Sequence, residues 1–201
     1  VEKMETDSTA SASQKKQAGN YWDTFLKLDF DYDKRNQKFK TSDGFRSTYR
    51  TIVPLISETN TLTNRYDFKI FNEFYENDLS SISLFLSNTN SISGEDVKLS
   101  ERLFIPSRKL RGFESGKVGP KDGDDFIGGN YLAVINAQTN IPKLFENSQS
   151  FEALIFLDAG SLWGVDYDSS LDDGGKLRSS FGLGLDWLTP IGPLNFTFSE
   201  I

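Results

Sequence analysis

The 201-residue chain contains no cysteine and no histidine. The first absence excludes a disulfide framework and a thiol nucleophile. Together the two exclude Cys/His zinc sites and every histidine-based triad. There is also no run of eighteen apolar residues, so no transmembrane helix is expected. The opening stretch "VEKMETDSTASASQKKQAGN", residues 1–20, lacks the apolar centre of a signal peptide and reads as a flexible polar loop. Basic charge is scarce. Lys and Arg number 22 against 29 Asp and Glu, a net charge of −7 with no dense basic stripe, which argues against a nucleic-acid partner. No pattern of residues calls for a cofactor or a metal, and no enzyme chemistry is expected. Absence of cysteine fits a periplasmic or outer-membrane setting, and a cytosolic protein can lack it too.

What the chain does have is rings. Aromatic residues make up 13% of it and charged residues 25%, and the mean hydropathy is −0.44. Large apolar side chains in a chain that is polar on average must alternate finely with polar ones, as a strand with two unlike faces requires. In "YWDTFLKLDFDY", Trp22, Thr24, Leu26, Leu28, Phe30 and Tyr32 oppose Asp23, Lys27, Asp29 and Asp31. The same period recurs in "FRSTYRTIVPL", "RYDFKIFNEF", "SSISLFLSN", "YLAVINAQTNI", "FEALIFLDAGSLW", "SFGLGLDWLTP" and "PLNFTFS". These segments predict an all-β chain of eight strands and no amphipathic helix.

Alternation alone does not choose between a soluble β-sandwich, with its apolar face inward, and an outer-membrane barrel, with its apolar face to lipid. Three features favour the antiparallel transmembrane barrel. Several strands approach the roughly 9–11 residues that cross a bilayer at a tilt. Aromatics gather at strand ends, and charges keep to single faces. Eight strands could close on themselves or form half of a larger barrel.

One long segment has neither period: "SERLFIPSRKLRGFESGKVGPKDGDDFIGGN", residues 100–130. Its "RKLRGF" fits a solvated surface loop, and equally a loop folded inward that needs an arginine anchor. Asp122, Asp124 and Asp125 alternate like calcium donors but lack the EF-hand spacing, so a plain loop is expected there. The acidic "DYDSSLDDGG" at 166–175 reads as an exposed hairpin loop. Asp29 and Asp31, paired on one face, read as lumen lining rather than as an acid–base pair.

Four blocks carry a resemblance: "LRGFESGKVGP", "GGNYLAVINAQTNIP", "FEALIFLDAGSLW" and "SFGLGLDWLTPIGPLNFTFSE". In order and spacing they resemble the BamA family of outer-membrane β-barrel assembly factors, over about residues 21–201. Leu110 stands where the family's loop motif usually has Val. The resemblance implies the C-terminal half, about eight strands, of a sixteen-stranded barrel with an inward-folded loop over about 99–128. It also implies that this loop is held by Arg111, with Gly112 and Phe113, against an inner-wall carboxylate, Asp158. Period-2 counting independently puts Asp158 on one face with Glu152 and Phe156. Gln138 occupies a position where the family often has a second acid, so Gln138 is expected as a secondary, uncharged partner. Arg108 and Lys109 have no assigned partner.

The function this implies is assembly and insertion of β-barrel proteins into the bacterial outer membrane. Expected partners are outer-membrane lipid, unfolded β-barrel clients and, through POTRA domains outside this chain, periplasmic assembly lipoproteins. The alternatives are a translocation pore of the two-partner secretion or TamA type, a passive structural barrel or porin, and a soluble binding sandwich.

Overall fold

The computed structural model describes residues 2–38, 40–58, 60–74, 78–141, 150–172 and 175–201. Strands β1 (Glu2–Met4) and β2 (Gly19–Tyr21) pair with each other and flank a short helix α1 (Ala12–Lys16). Then come β3 (Asp23–Asp33), β4 (Gly44–Ser57), β5 (Thr61–Asn72) and β6 (Ser80–Ser91). A long loop follows, carrying the two-residue strands β7 (Lys121–Asp122) and β8 (Asp125–Phe126). The chain closes with β9 (Tyr131–Asn140), β10 (Phe151–Trp163), β11 (Arg178–Thr189) and β12 (Gly192–Glu200).

The first twenty residues differ from the flexible loop that their composition predicts. Glu2 lies opposite Tyr21 in the small β1–β2 ribbon. The Ser11 hydroxyl accepts from the Gln14 N–H at 3.2 Å, and the Gln14 side chain accepts from the Ser11 N–H at 2.8 Å. This reciprocal cap needs only two polar side chains three apart, so it leaves no trace in the hydrophobic pattern.

Eight strands form one antiparallel sheet in the order β12-β11-β10-β9-β6-β5-β4-β3. The order is a meander, interrupted only where the long loop joins β6 to β9. Strands of 9 to 14 residues suit a tilted crossing of a bilayer. The sheet stays open, with β3 and β12 at its two edges. Among the described residues the other sheets are the two-stranded ribbons β1–β2 and β7–β8, too small to be the second layer of a sandwich.

Neighbouring residues show which face does what. Ile135 is 50% exposed, while Val134 beside it is 1% exposed. The outer face carries Phe30, Ile82, Leu157 and Leu183, all of them exposed. Large rings also line up across strands there: Tyr32, Phe45 and Phe68 stand in one row, their centroids 5.7 and 5.8 Å apart. Such an apolar face is costly in water and at home in lipid.

The buried core is therefore on the other face. Phe85, Leu132, Val134 and Leu162 project from the sheet and meet Leu103, Ile105, Leu110 and Val118 from the long loop. Phe113 packs at the margin of this cluster. An inner face that reads as polar along most of its length becomes apolar where the loop lies on it. In the full-length protein, Leu110→Ala should cost about 2–4 kcal/mol, the usual cost of emptying a well-packed core site. The expected reading is faster amide exchange across residues 103–118 with unchanged exchange in β5 and β6. Uniform exchange changes over both regions would refute a separate loop core.

Candidate functional site

The loop leaves β6, makes one 3-10 turn at Leu99–Glu101 and is held at its neck by an antiparallel bridge between Leu103 and Gly129. Between those two points it descends over the inner face. Arg111 and Asp158 meet there. The Arg111 Nε donates to Asp158 Oδ2 at 2.7 Å, and an Nη donates to Oδ1, also at 2.7 Å. The Arg111 backbone N–H adds a third bond to Oδ2 at 3.1 Å. The Asn136 amide adds a fourth, to Oδ1, at 2.9 Å.

Each of these contacts has a local cause. Asp158 and Asn136 are cross-strand neighbours in β10 and β9, so register alone aims both side chains at one point. Asn136 also donates to the Lys109 carbonyl at 2.6 Å and accepts from Ser83 at 3.1 Å, which fixes its amide orientation. The guanidinium lies over the Phe156 ring, 3.7 Å from its centroid. That ring has room because position 182 on β11 is glycine: a Cβ there would come within 2.9 Å of the ring. Asp158 is fully buried. A carboxylate out of water with four donors is stabilised only as long as the cation stays.

Gly112 has φ +89, a conformation that side chains disfavour. A Cβ on it would lie 2.6 Å from the Ser199 hydroxyl and 3.0 Å from Ile201. The loop tip thus touches the end of β12 as well as β10. Gln138 accepts from the remaining Arg111 Nη at 3.3 Å, a long bond beside the pair to Asp158.

Three further polar contacts hold the same loop. Lys109 donates to Asp67 on β5 at 2.6 Å and sits 4.8 Å from the Phe85 ring centroid. Asp67 lies in the period-2 pattern on the charged face of β5, and Lys109 is two residues from Arg111; a charge-pairing search over the inner face would have found this bond. Nearer the neck, the Lys98 ammonium is enclosed with Asp23 at 2.7 Å, Glu2 at 3.6 Å and Glu101 at 3.9 Å. Burial alone would lower its pKa, but the Asp23 hydrogen bond and the nearby Glu101 and Glu2 charges hold it above the ordinary lysine value.

The third contact is Arg102, whose side chain is wholly buried. It pairs with Asp166, and also donates to Asn130 Oδ1 at 3.1 Å and to the Val97 carbonyl at 3.3 Å. The Tyr167 ring lies 5.0 Å beneath it. Burial raises the Tyr167 phenol, assisted by the Asp122 charge, to about 12. Asp166 belongs to the acidic stretch that composition presents as exposed; instead it accepts from Val97 N–H at 2.9 Å and Asn130 at 3.0 Å. Residues 173–174 of that stretch lie outside the described residues. No sequence signal joins Arg102 to Asp166, which are brought together only by the return of β10.

Among the described residues no three acidic side chains converge as a metal site. Asp122 accepts instead from Ser11 and, at 3.3 Å, from the Tyr167 hydroxyl, tying the N-terminal helix to the β7–β8 turn. Asp29 and Asp31 pair with Arg50 and Arg46 on the neighbouring strand.

Comparison with known proteins places this geometry in context. A family model described as the Omp85 superfamily domain matches residues 2–200. The outer membrane protein assembly factor BamA of Neorickettsia risticii is 32% identical over 136 residues, covering 65% of this chain and 18% of that protein. A SAM50-like protein of Schizosaccharomyces pombe is 34% identical over 129 residues, covering 58% of this chain and 26% of that one. The chain thus spans well under a third of the curated relatives it matches. The crystal structure of BamA from Haemophilus ducreyi lacking POTRA domains 1–3 superposes with a TM-score of 0.79 over 88% of this chain and 38% of that one, at 23% identity. That likeness establishes the fold.

The Arg102–Asp166 contact has a pH signature. Burial pushes the Asp166 carboxyl up, but the Val97 N–H, Asn130 and Arg102 together hold it below the ordinary value. A carboxyl depressed in the folded state adds stability that is complete above the unfolded value of about 3.9 and is lost as pH falls through the folded one. The neck of the loop should therefore stay protected at pH 5 and open only in stronger acid. Amide exchange over residues 97–103, normalised to the intrinsic rate at each pH, measures this, and in Asp166→Asn the protection should show no acid transition of this kind. Opening of the native neck near pH 5 would contradict the assignment.

Proposed function

Because the chain belongs to the Omp85 superfamily, we infer that it forms part of an outer-membrane β-barrel whose work is to fold and insert other β-barrel proteins. The observation that carries this reading is the loop docked through Arg111 on a buried Asp158 while its Gly112 rests on β12. A passive barrel gains nothing from a loop that ties the inner wall at β10 to β12, two strands away. In an insertase such a brace is useful. An unpaired strand edge in lipid is costly, and an incoming strand can satisfy it by pairing. The loop holds the wall in shape while an edge opens and closes.

On this reading the partners are lipid, unfolded β-barrel clients and, through POTRA domains, periplasmic assembly lipoproteins. The protein resides in the outer membrane. On this reading the protein acts without covalent catalysis, and Arg111, Gly112, Phe113, Asp158 and Gln138 act as a mechanical lock. The relatives named for assembly of outer membrane proteins favour the insertase over a translocation pore of the same superfamily.

In the full-length protein, Arg111→Ala or Asp158→Ala should each reduce folded client barrels several-fold, since removing one partner leaves the other charge buried alone, at about 3–5 kcal/mol. Heat-modifiable migration of unrelated client barrels on gels provides the measurement. Wild-type levels in both variants would eliminate the lock. Loss of one secreted substrate with other barrels intact would instead identify a dedicated transporter.

A further inference from the structure

The inner face of β4 and β5 has a charge arrangement that the loop lock does not explain. Register places Arg46 directly opposite Lys69 and Arg50 directly opposite Arg65. Like charges facing each other across one side of a sheet repel. Part of that repulsion is relieved from β3. Asp31 accepts two bonds from Arg46, at 3.0 and 2.7 Å, and Asp29 pairs with Arg50. Asp33 is engaged by Arg35, at 2.9 and 2.7 Å. The remaining carboxylate on this wall, Asp67, lies between Arg65 and Lys69 in β5 but is bound by Lys109.

Three cations are left over. Among the described residues, Arg65, Lys69 and Arg108 have no carboxylate within ion-pair distance. Arg65 lies over Phe85 at 5.6 Å and Lys69 over Phe71 at 5.0 Å, contacts that attract a cation but supply no neutralising charge. They surround two hollows of about 430 and 280 Å³ that share Asp67, Lys69, Arg108 and Lys109. Seven cations and one carboxylate line the larger hollow, in a chain whose net charge is −7. Composition therefore does not explain the excess; folding concentrates it.

We propose that this basin binds a phosphate-type oxyanion, held by Arg65 and Lys69 of the wall and Arg108 of the loop. Guanidinium groups present paired donors that match such oxygens, and an ammonium adds a point charge. Two of the ligands belong to β5 and the third to the loop. The bound anion is consequently a further staple between them, beside Lys109–Asp67. The smaller hollow adjoins the Arg111 lock, since Arg111 and Gln138 also line it, but the three proposed ligands take no part in the Arg111–Asp158 pair.

The test uses the full-length protein in phosphatidylcholine nanodiscs. Inorganic phosphate replaces chloride at constant ionic strength, and the heat-modifiable unfolding midpoint and calorimetric binding are followed. A saturable, phosphate-specific rise in midpoint is expected. Arg65→Gln and Arg108→Gln should each weaken it at least tenfold, whereas Lys16→Gln on the exposed N-terminal helix should leave it unchanged. Adding phosphatidylglycerol to the nanodiscs separates the sources. A rise without inorganic phosphate that Arg65→Gln abolishes makes a lipid headgroup the occupant. A response no greater than chloride's in either membrane overturns the site and means that carboxylates elsewhere in the full-length protein neutralise the basin. A wild-type phosphate response in both Gln variants, or a response to polyglutamate alone, overturns it equally.

Discussion

A fully buried carboxylate on the inner wall sets the terms for the rest of this structure. Asp158 has no access to water, and an unmatched charge there would cost several kcal/mol. Its partners must arrive from outside its own strand. Asn136 does so by register, and Arg111 only because a long loop turns inward. Once the loop must come, other features follow as its accommodation: the glycine at 182 that admits Phe156, the left-handed Gly112 against β12, and the apolar patch on an otherwise polar face.

The loop's cations distribute this constraint over the whole sheet. Lys98 reaches Asp23 on β3, Lys109 reaches Asp67 on β5, Arg111 reaches Asp158 on β10, and Arg102 takes Asp166 just beyond β10. Gly112 adds a contact at β12. One covalent segment is thereby tied to strands from one edge of the sheet to the other. Hydrophobic contacts in the cluster around Leu110 add stability without direction. The ion pairs add direction, because a two-pronged guanidinium contact exists in one register and is lost in the next.

How much of this was legible in the sequence depended on whether a residue's role is local. The strands were legible because alternation is a property of adjacent residues, and Phe30, Asp31 and Tyr32 already display it. The Arg111–Asp158 pairing came from resemblance, with period-2 counting adding only the face on which Asp158 lies. Lys109–Asp67 is within reach of the same counting, which places Asp67 on the inner face but does not choose its partner. Arg102–Asp166 was not legible, since two residues in polar loops carry no mark of mutual burial. The N-terminal cap escaped for the opposite reason: Ser11 and Gln14 are too close in sequence to produce any period.

Ion pairs also fix where the loop sits on the wall. An apolar contact between the loop and the wall would lose its driving force gradually as surfaces slide apart. A buried bidentate pair holds nearly its full strength until its geometry fails, and then leaves two exposed or unmatched charges. Docking through Arg111 is therefore specific to one register of the loop against the wall. The apolar cluster around Leu103 and Leu110 packs the loop onto the wall without selecting that register. Directional contacts stand at both ends of the loop, Arg111–Asp158 at its tip and Lys98–Asp23 and Arg102–Asp166 at its neck, with the non-directional cluster between them. The ion pairs thus set the position of the loop, and the apolar side chains between them set how firmly it is held there.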